Sequence, residues 1–177
     1  MLDSMGCFVA NPEETLHDPS RRERDTSDMV VPEDLHTRLR THRVGHLATA
    51  DAAGMPHIVP VCFVYDGEAI YSAIDHKPKR RTGYGMKRVR NMLENPRVAF
   101  MVDHYDEDWQ QLYYILIRGT ATILEQGEDY HRALALLEAK YAQYRERRLR
   151  DMAALVVQIV PETVQHWAWR EAARADA

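Results

Sequence analysis

Short apolar runs separated by turn residues fill the middle of the chain, and their length predicts β-strands rather than helices. Runs of this kind lie at 47–50, 57–65, 69–73, 97–103, 112–124 and 154–160, the last continuing through 163–167. The first three are joined by turns that end in Gly54 and Gly67. Because glycine adopts positive φ without steric cost, both turns are typical of β-hairpins. Gly119, inside the fifth run, predicts a bulge or bend that curls the sheet.

Three other segments are predicted to be helices, at about 32–43, 86–94 and 128–147. Pro32 and the acidic residues after it suit the start of the first helix. Proline fits a first helical turn, and acids complement the positive end of the helix dipole. In the third segment, apolar residues recur at helical spacing. The predicted order is helix, three strands, helix, two strands, helix and strand.

Strands that cluster through hairpins, instead of alternating with helices, predict an antiparallel sheet. The chain contains neither G-x-G-x-x-G nor a Walker sequence, so no Rossmann or P-loop nucleotide site is indicated. We therefore predict a mainly β protein with helices, of the α+β class, built as an antiparallel barrel whose ends are plugged by helices.

The two ends of the chain differ from its middle. Residues 1–28 are polar, charged and aperiodic, and such a segment buries too little apolar area to offset its ordering entropy. We expect a flexible leader at 1–28, one domain at 29–170 and a frayed tail at 171–177. Met29, just before the first predicted helix, is an alternative start of the native chain. The mass of the native protein distinguishes the two starts.

Composition narrows the possible partners. The 177 residues include 23 basic and 27 acidic side chains, a net charge of -4. Binding to a nucleic-acid duplex needs an excess of cations, so we expect no nucleic-acid partner. The two cysteines, Cys7 and Cys62, form no disulfide or zinc pattern and indicate free thiols in a reducing cytoplasm. No apolar run approaches the roughly 20 residues of a membrane span, and we expect no membrane partner.

A dense basic run follows the third predicted strand. Its members are Lys77, Lys79, Arg80, Arg81, Lys87, Arg88 and Arg90. No acidic residue interrupts the run before Glu94. A local basic run on an acidic body predicts a site for a small anion. A solvated charged surface and a phosphate- or nucleic-acid-binding surface are the alternatives.

Several ordered motifs resemble one family, over about 32–170. The segments 45–51, 54–57, 59–61, 66–72 and 91–98 resemble split-barrel flavoproteins of the pyridoxamine 5'-phosphate oxidase class. The segments 75–79 and 103–109 resemble a branch of that class described as deazaflavin (coenzyme F420) dependent oxidoreductases. The resemblance implies a six-stranded antiparallel split β-barrel of the FMN-binding type. It also implies a homodimer with the cofactor between its subunits.

The resemblance implies an enzyme that transfers hydride between F420 and a small unsaturated substrate. The cofactor-binding residues that it implies are His57, Val59, Pro60, Val61, Ser72, Ala73, Lys77, Lys79, Arg80, Arg81 and Trp109. We expect the basic members and the Ser72 hydroxyl to contact phosphate or carboxylate oxygens. We expect the backbone of 59–61 to face the ring, and Trp109 to border it. No catalytic residue is predicted, because such a cofactor carries the redox chemistry itself.

Two positions depart from the family pattern. The FMN-using oxidases begin the second strand with Arg and end it with Lys, and both hold the phosphate. Here the corresponding residues are His57 and Cys62. This departure weakens the case for an FMN phosphate held by the second strand. The longer tail of F420 offers further carboxylates to Arg80, Arg81, Lys87 and Arg88. FMN in the same fold, or a non-catalytic flavin- or haem-binding role, are the alternatives.

No metal site is expected. Asp75-His76 and Asp103-His104 are adjacent pairs, and neighbouring residues of a strand point to opposite faces. No His-x-His or His-x-x-x-His spacing accompanies either pair.

Overall fold

The computed structural model describes residues 31–75 and 83–169. Its helices are α1 (Glu33–Thr41), α2 (Lys87–Glu94), α3 (Glu128–Lys140), α4 (Ala142–Glu146) and α5 (Leu149–Met152). Its strands are β1 (Gly45–Ala50), β2 (Pro56–Val61), β3 (Val64–Tyr65), β4 (Ile70–Asp75), β5 (Arg97–His104), β6 (Tyr113–Leu124) and β7 (Ala153–Ala168). Single 3-10 turns lie at Gly83–Gly85 and Trp109–Gln111. The predicted leader at 1–28 and the predicted tail at 171–177 lie outside the described residues.

The strands form one antiparallel sheet in the order β2-β1-β5-β6-β7-β4-β3. Its two edge strands, β2 and β3, are joined in the chain by Cys62 and Phe63 alone. Consecutive Cα atoms are about 3.8 Å apart, so Val61 and Val64 lie within about 11 Å of each other. The two edges of the sheet therefore meet, and the sheet curls into a barrel that is split between β2 and β3. The predicted antiparallel split barrel is confirmed.

The number of strands is seven in the described residues, not the six predicted. The run 57–65 was predicted to be one strand, but its two halves pair with different partners. β2 pairs with β1, while β3 pairs with β4 at the opposite edge of the sheet. The chain turns between them at Phe63, whose side chain is fully buried.

The barrel core is closed at one end by α1. Leu35 and Leu39 of α1 are fully buried, as their spacing predicts. Inside the barrel, the rings of Phe63 and Phe100 lie 4.8 Å apart in an edge-to-face arrangement. Helix α3 packs outside the sheet against a second apolar cluster that includes Tyr71. Helices therefore cover apolar residues both at one end of the barrel and on the outside of the sheet.

The predicted helix over 128–147 is wrong in its extent. α3 ends at Lys140, and the next residue, Tyr141, is extended with φ -117° and ψ 112°. The chain then continues as α4 and α5. The Tyr141 side chain is 3 % exposed, and its hydroxyl lies within hydrogen-bond distance of the Phe63 backbone. A continuous helix would carry this side chain away from the position that it occupies.

The bulge predicted at Gly119 is confirmed. Arg118 lies opposite Thr163, whereas Gly119 lies opposite Pro161, so Glu162 is the extra residue of β7. A Cβ atom at Gly119 would lie 2.1 Å from the carbonyl oxygen of Val160. The close approach of two backbones at this point requires glycine. Beyond the bulge, β7 continues as one strand of 16 residues, as the runs 154–160 and 163–167 predict.

None of the helices in the described ranges is long and apolar enough to cross a membrane.

Candidate functional site

A basic cavity lies at the end of the barrel where β2 begins. Its volume is about 290 Å³. The lining residues are His57, Gly85, Met86, Lys87, Arg88 and Arg90. His57 comes from β2, and the others come from the turn before α2 and from the start of that helix. Four of the six carry basic side chains, so an anion is the natural occupant.

Buried hydrogen bonds hold α2 against β2. Asn91 of α2 is fully buried, and its amide donates to the Thr49 hydroxyl at 3.0 Å. That hydroxyl donates in turn to the backbone carbonyl of His57 at 3.4 Å. Val89 and Met92 of the same helix are buried in the barrel core. These contacts place the first turn of α2 beside the start of β2.

The first turn of α2 is electropositive. Helix α2 starts after Met86 with no side-chain cap and no acidic residue in its first turn. The positive end of its dipole therefore favours an anion. Lys87 and Arg88 add cationic side chains at the same place.

Lys87 also holds the neighbouring turn. Its ammonium pairs with the Asp51 carboxylate at 2.7 Å. This hydrogen bond, followed by one from the Met55 backbone, lowers the pKa of Asp51 below its usual value. Asp51 consequently stays ionised and fixes the turn between β1 and β2 against α2, while part of the Lys87 charge is neutralised.

The outer edge of β2 forms one side of the split. In the described sheet, β2 pairs only with β1. Val59 and Val61 turn their side chains toward the core, and Pro60 is exposed. The backbone of the segment predicted to face a ring is therefore accessible from the split, and Pro60 has no N–H to leave unpaired there.

Ser72 and Ala73 lie on the opposite side of the split, in β4. Both are buried, with 4 % and 7 % of their surface exposed. The Ser72 hydroxyl donates to the carbonyl of Cys62 at 2.9 Å. Ser72 thus connects β4 to the segment between β2 and β3. The hydroxyl can donate to an anion only if it gives up its hydrogen bond to the Cys62 carbonyl.

The other predicted contacts are Trp109 and basic residues after β4. Lys77, Lys79, Arg80 and Arg81 lie outside the described residues. Trp109 lies at the other end of the barrel. β5 begins near α2, with Val98 opposite Thr49, and Trp109 comes after its last residue, His104. Six strand residues at about 3.4 Å each separate Val98 from His104, about 20 Å.

Sequence reasoning missed part of this cavity. Gly85 and Met86 were not predicted to contribute, and Arg90 was noted only as a member of the basic run. The available signal was a helix whose first turn is cationic instead of acidic, which is unusual because it opposes the helix dipole. No group of three His, Cys, Asp or Glu side chains that could hold a metal occurs in the ranges that the structure describes.

The cavity can hold an anionic group, but it offers little acid–base chemistry. Its titratable members are cations, apart from His57. A phosphate seated at α2 would leave the rest of a bound molecule free to extend along the open edge of β2. This arrangement suits a molecule that brings its own reactive group.

Comparisons with known proteins agree with this architecture. A 5a,11a-dehydrotetracycline/5a,11a-dehydrooxytetracycline reductase of Streptomyces rimosus is 38% identical over 92 residues, which cover 51% of this chain and 62% of the relative. The crystal structure of the conserved hypothetical protein Rv2991 from Mycobacterium tuberculosis matches with a TM-score of 0.66 at 24% identity, over 83% of this chain and 91% of the other. An F420 reductase matches with a TM-score of 0.52 at 23% identity, over 76% of this chain and 98% of the other. Both structural matches establish the fold alone.

The alignment with the reductase leaves more than a third of that relative unmatched, so it does not by itself transfer an activity. The family model described as pyridoxamine 5'-phosphate oxidase matches residues 31–168, which include every helix and strand described above. The chain therefore belongs to the pyridoxamine 5'-phosphate oxidase family of split-barrel proteins.

Proposed function

We propose that this protein is an oxidoreductase that uses coenzyme F420 to transfer hydride to a small unsaturated substrate. The observation that carries the proposal is the basic cavity at the uncapped start of α2, which His57 of the edge strand β2 also lines. A phosphate-bearing cofactor fits these residues by charge. The similarity to a 5a,11a-dehydrotetracycline/5a,11a-dehydrooxytetracycline reductase supports the reaction class.

The positions of the cations favour F420 over FMN. The family's FMN-using members hold phosphate with basic residues at both ends of the second strand. Here Cys62 lies after the end of β2, and the cations lie on α2. Cations spread along a helix suit a ligand with several acidic groups, such as the F420 tail. An F420 reductase shares this fold.

Each part of the site has a distinct role in this proposal. The bound deazaflavin supplies the hydride chemistry. Arg88, Arg90 and the first turn of α2 bind its phosphate and tail, and the backbone of 59–61 orients the ring. Thr49 and Asn91 hold α2 in place.

We also propose that the protein acts as a homodimer. The outward face of β1, β2, β5 and β6 is apolar at Ile58, Ala48, Ala99, Met101 and Leu116. The register places these side chains in one continuous patch, since Ala48 lies opposite both Ile58 and Ala99, and Met101 lies opposite Leu116. Ile58 is 63% exposed in the single chain. Trp109 lies at the other end of the barrel from His57, and a dimer offers it the cofactor bound by the partner subunit.

The oligomeric state is measured by size-exclusion chromatography with light scattering. Ile58→Glu is expected to give a monomer, because a carboxylate would be buried in the patch without a partner. Ala135→Glu, at an exposed position of α3, is the matched control and should leave the dimer intact. A wild-type chain that is monomeric at micromolar concentration contradicts the proposed dimer.

To identify the cofactor, the purified protein is titrated with F420, FMN and haem. Binding is monitored by absorption and fluorescence. We expect F420 to bind most tightly, and its reduced form to be oxidised by a conjugated cyclic enone only in the presence of protein. The double variant Arg88→Glu, Arg90→Glu should weaken F420 binding at least about tenfold, because two charge-assisted contacts become repulsive. Arg145→Glu, exposed on α4, is the control.

Tighter binding of FMN than of F420 would replace the proposed cofactor with FMN in the same site. Tight haem binding without flavin binding would favour the non-catalytic role. Unchanged F420 affinity in the double variant would show that α2 does not bind the cofactor.

A further inference from the structure

A second cavity lies at the opposite end of the barrel from His57, between α1 and the turn that precedes β6. Its volume is about 260 Å³. The lining residues are Arg38, His104, Gln110, Gln111, Leu112 and Tyr113. The cavity shares no lining residue with the basic cavity at α2. It is therefore a separate feature of the fold.

Arg38 is the cation of this cavity. Its guanidinium carbon lies 4.3 Å from the centre of the Tyr113 ring, so the group lies over an aromatic face. Its Nη1 atom is buried and has no hydrogen-bond partner among the described residues. A buried donor without an acceptor is unfavourable. Arg38 also lines the cavity, so its guanidinium is the cation that an anionic ligand in the cavity would meet.

The nearby carboxylates are already paired with histidines. Asp103 lies 3.4 Å from the ring nitrogen Nδ1 of His46. Asp106 lies 3.8 Å from Nε2 of His104. Neither forms an ion pair with Arg38 within the described residues. The guanidinium is consequently a cation that lines the cavity without an ion-pair partner among the described residues.

The walls of the cavity are flat. The His104 ring is stacked on the Tyr113 ring, with centroids 5.5 Å apart and planes 28° from parallel. The Tyr113 hydroxyl is held by His42, whose Nε2 lies 2.6 Å away. Trp109, the neighbour of Gln110, forms an edge-to-face pair with Trp169 at 6.0 Å. Stacked rings and two glutamine amides form a slot that suits a planar molecule with polar edges.

We propose that this cavity binds a small planar organic acid, with the carboxylate of the ligand accepting hydrogen bonds from Arg38. The planar guanidinium matches a carboxylate in geometry as well as in charge, which an ammonium group would not do. The ring of the ligand lies along the Tyr113 and His104 rings. The Gln110 and Gln111 amides contact polar substituents at its edge. The proposal does not depend on the cofactor, because no residue of the α2 cavity takes part.

The probe is benzoate, with benzamide as a neutral molecule of nearly the same shape. Binding is measured by calorimetry and by tryptophan fluorescence at 0.15 M salt, without any cofactor present. We expect benzoate to bind with a Kd of about 1 mM or tighter, as a ligand of this size allows. Benzamide should bind at least about tenfold more weakly, since it lacks the charge. Equal binding of the two would overturn the proposal.

Variants of α1 test whether Arg38 binds the carboxylate of the ligand. Arg38→Gln should weaken benzoate binding at least about tenfold, and Arg38→Lys should weaken it less, because it keeps the charge but loses the fork. Arg40→Gln is the matched control, since Arg40 is exposed on the same helix and does not line the cavity. Circular dichroism and thermal melting establish that each variant is folded. If Arg38→Gln does not fold, Arg38→Lys decides the question, and unchanged benzoate binding in that variant contradicts the proposal.

A failure of F420 binding leaves these results unaffected, and a failure of benzoate binding leaves the proposed oxidoreductase intact. The two proposals are therefore tested separately.

Discussion

The Tyr141 hydroxyl oxygen lies 2.9 Å from the backbone nitrogen of Phe63 and accepts its N–H, at the point where the barrel is split. Two carbonyl oxygens, those of Phe63 and Arg43, lie 2.7 Å from the same hydroxyl, which donates to one of them at a time. Burial raises the pKa of Tyr141 to about 12. A side chain at the end of α3 thus satisfies backbone groups that an adjacent strand satisfies in an unbroken sheet.

Tyr141→Phe should therefore destabilise the fold. The substitution keeps the buried ring but leaves the Phe63 N–H without an acceptor, which costs about 1–3 kcal/mol in the free energy of unfolding. Urea denaturation monitored by circular dichroism measures the change. Tyr105→Phe is the control, because Tyr105 is 66% exposed, and it should change stability by less than about 0.5 kcal/mol. Equal effects of the two substitutions would show that the hydroxyl does not stabilise the split.

Gly119→Ala tests the bulge between β6 and β7. The new methyl group would lie 2.1 Å from the Val160 carbonyl oxygen, which is backbone and cannot move aside cheaply. We expect a loss of about 2 kcal/mol or more in the free energy of unfolding. The control is Thr122→Ala, an exposed position three residues further along β6. If the two variants melt at the same temperature, the close approach is not rigid.

Local patterns predicted the strands and the bulge because both depend on neighbouring residues. Alternation, turn glycines and Gly119 all lie within the segments that they shape. The break in the run 57–65 has no such signal, since Cys62 and Phe63 continue the apolar pattern without interruption. What breaks the strand is Tyr141, 78 residues further along the chain. The same contact accounts for the early end of α3.

The candidate site was predictable only in part, for a related reason. The basic run indicated an anion and its approximate place. The start of α2 lies beside His57 because a hydrogen bond joins Asn91 to Thr49, which are 42 residues apart. The second cavity gave no sequence signal, because Arg38 and Tyr113 come from distant segments and neither belongs to a spaced motif.

Lys140 should make the stability of the protein depend on pH in the alkaline range. Its ammonium lies 4.2 Å from the centre of the Phe63 ring and is buried without a hydrogen-bond partner in the described structure. Burial, followed by the charge of Arg43, lowers the pKa of Lys140 to about 8. Between pH 8 and the ordinary value of 10.5, the unfolded chain binds more protons at this residue than the folded chain. The contribution of Lys140 to stability therefore rises with pH across that window.

Lys140→Met is the corresponding test. It replaces the buried charge with an apolar side chain of similar length, so the variant should be more stable than wild type at pH 7. The difference should shrink by pH 9.5, where much of Lys140 is neutral in the folded protein and Tyr141 is not yet ionised. Urea denaturation at the two pH values measures it. A difference that is the same at both would contradict the lowered pKa.

His42 should titrate below its ordinary pKa of 6.5 and destabilise the fold in acid. Burial lowers the pKa of His42 first, and the charge of His104 lowers it further. A neutral His42 keeps its hydrogen bond with Tyr113 at 2.6 Å. In the unfolded chain the imidazole gains its proton near pH 6.5, so the stability due to the neutral form is lost as the pH falls below that value. NMR titration of the ring protons should place the pKa of His42 below 6.5. In His104→Gln the pKa of His42 should rise but stay below 6.5, because burial is the larger cause. If the pKa of His42 instead remained unchanged in His104→Gln, the two rings would not be coupled across Tyr113.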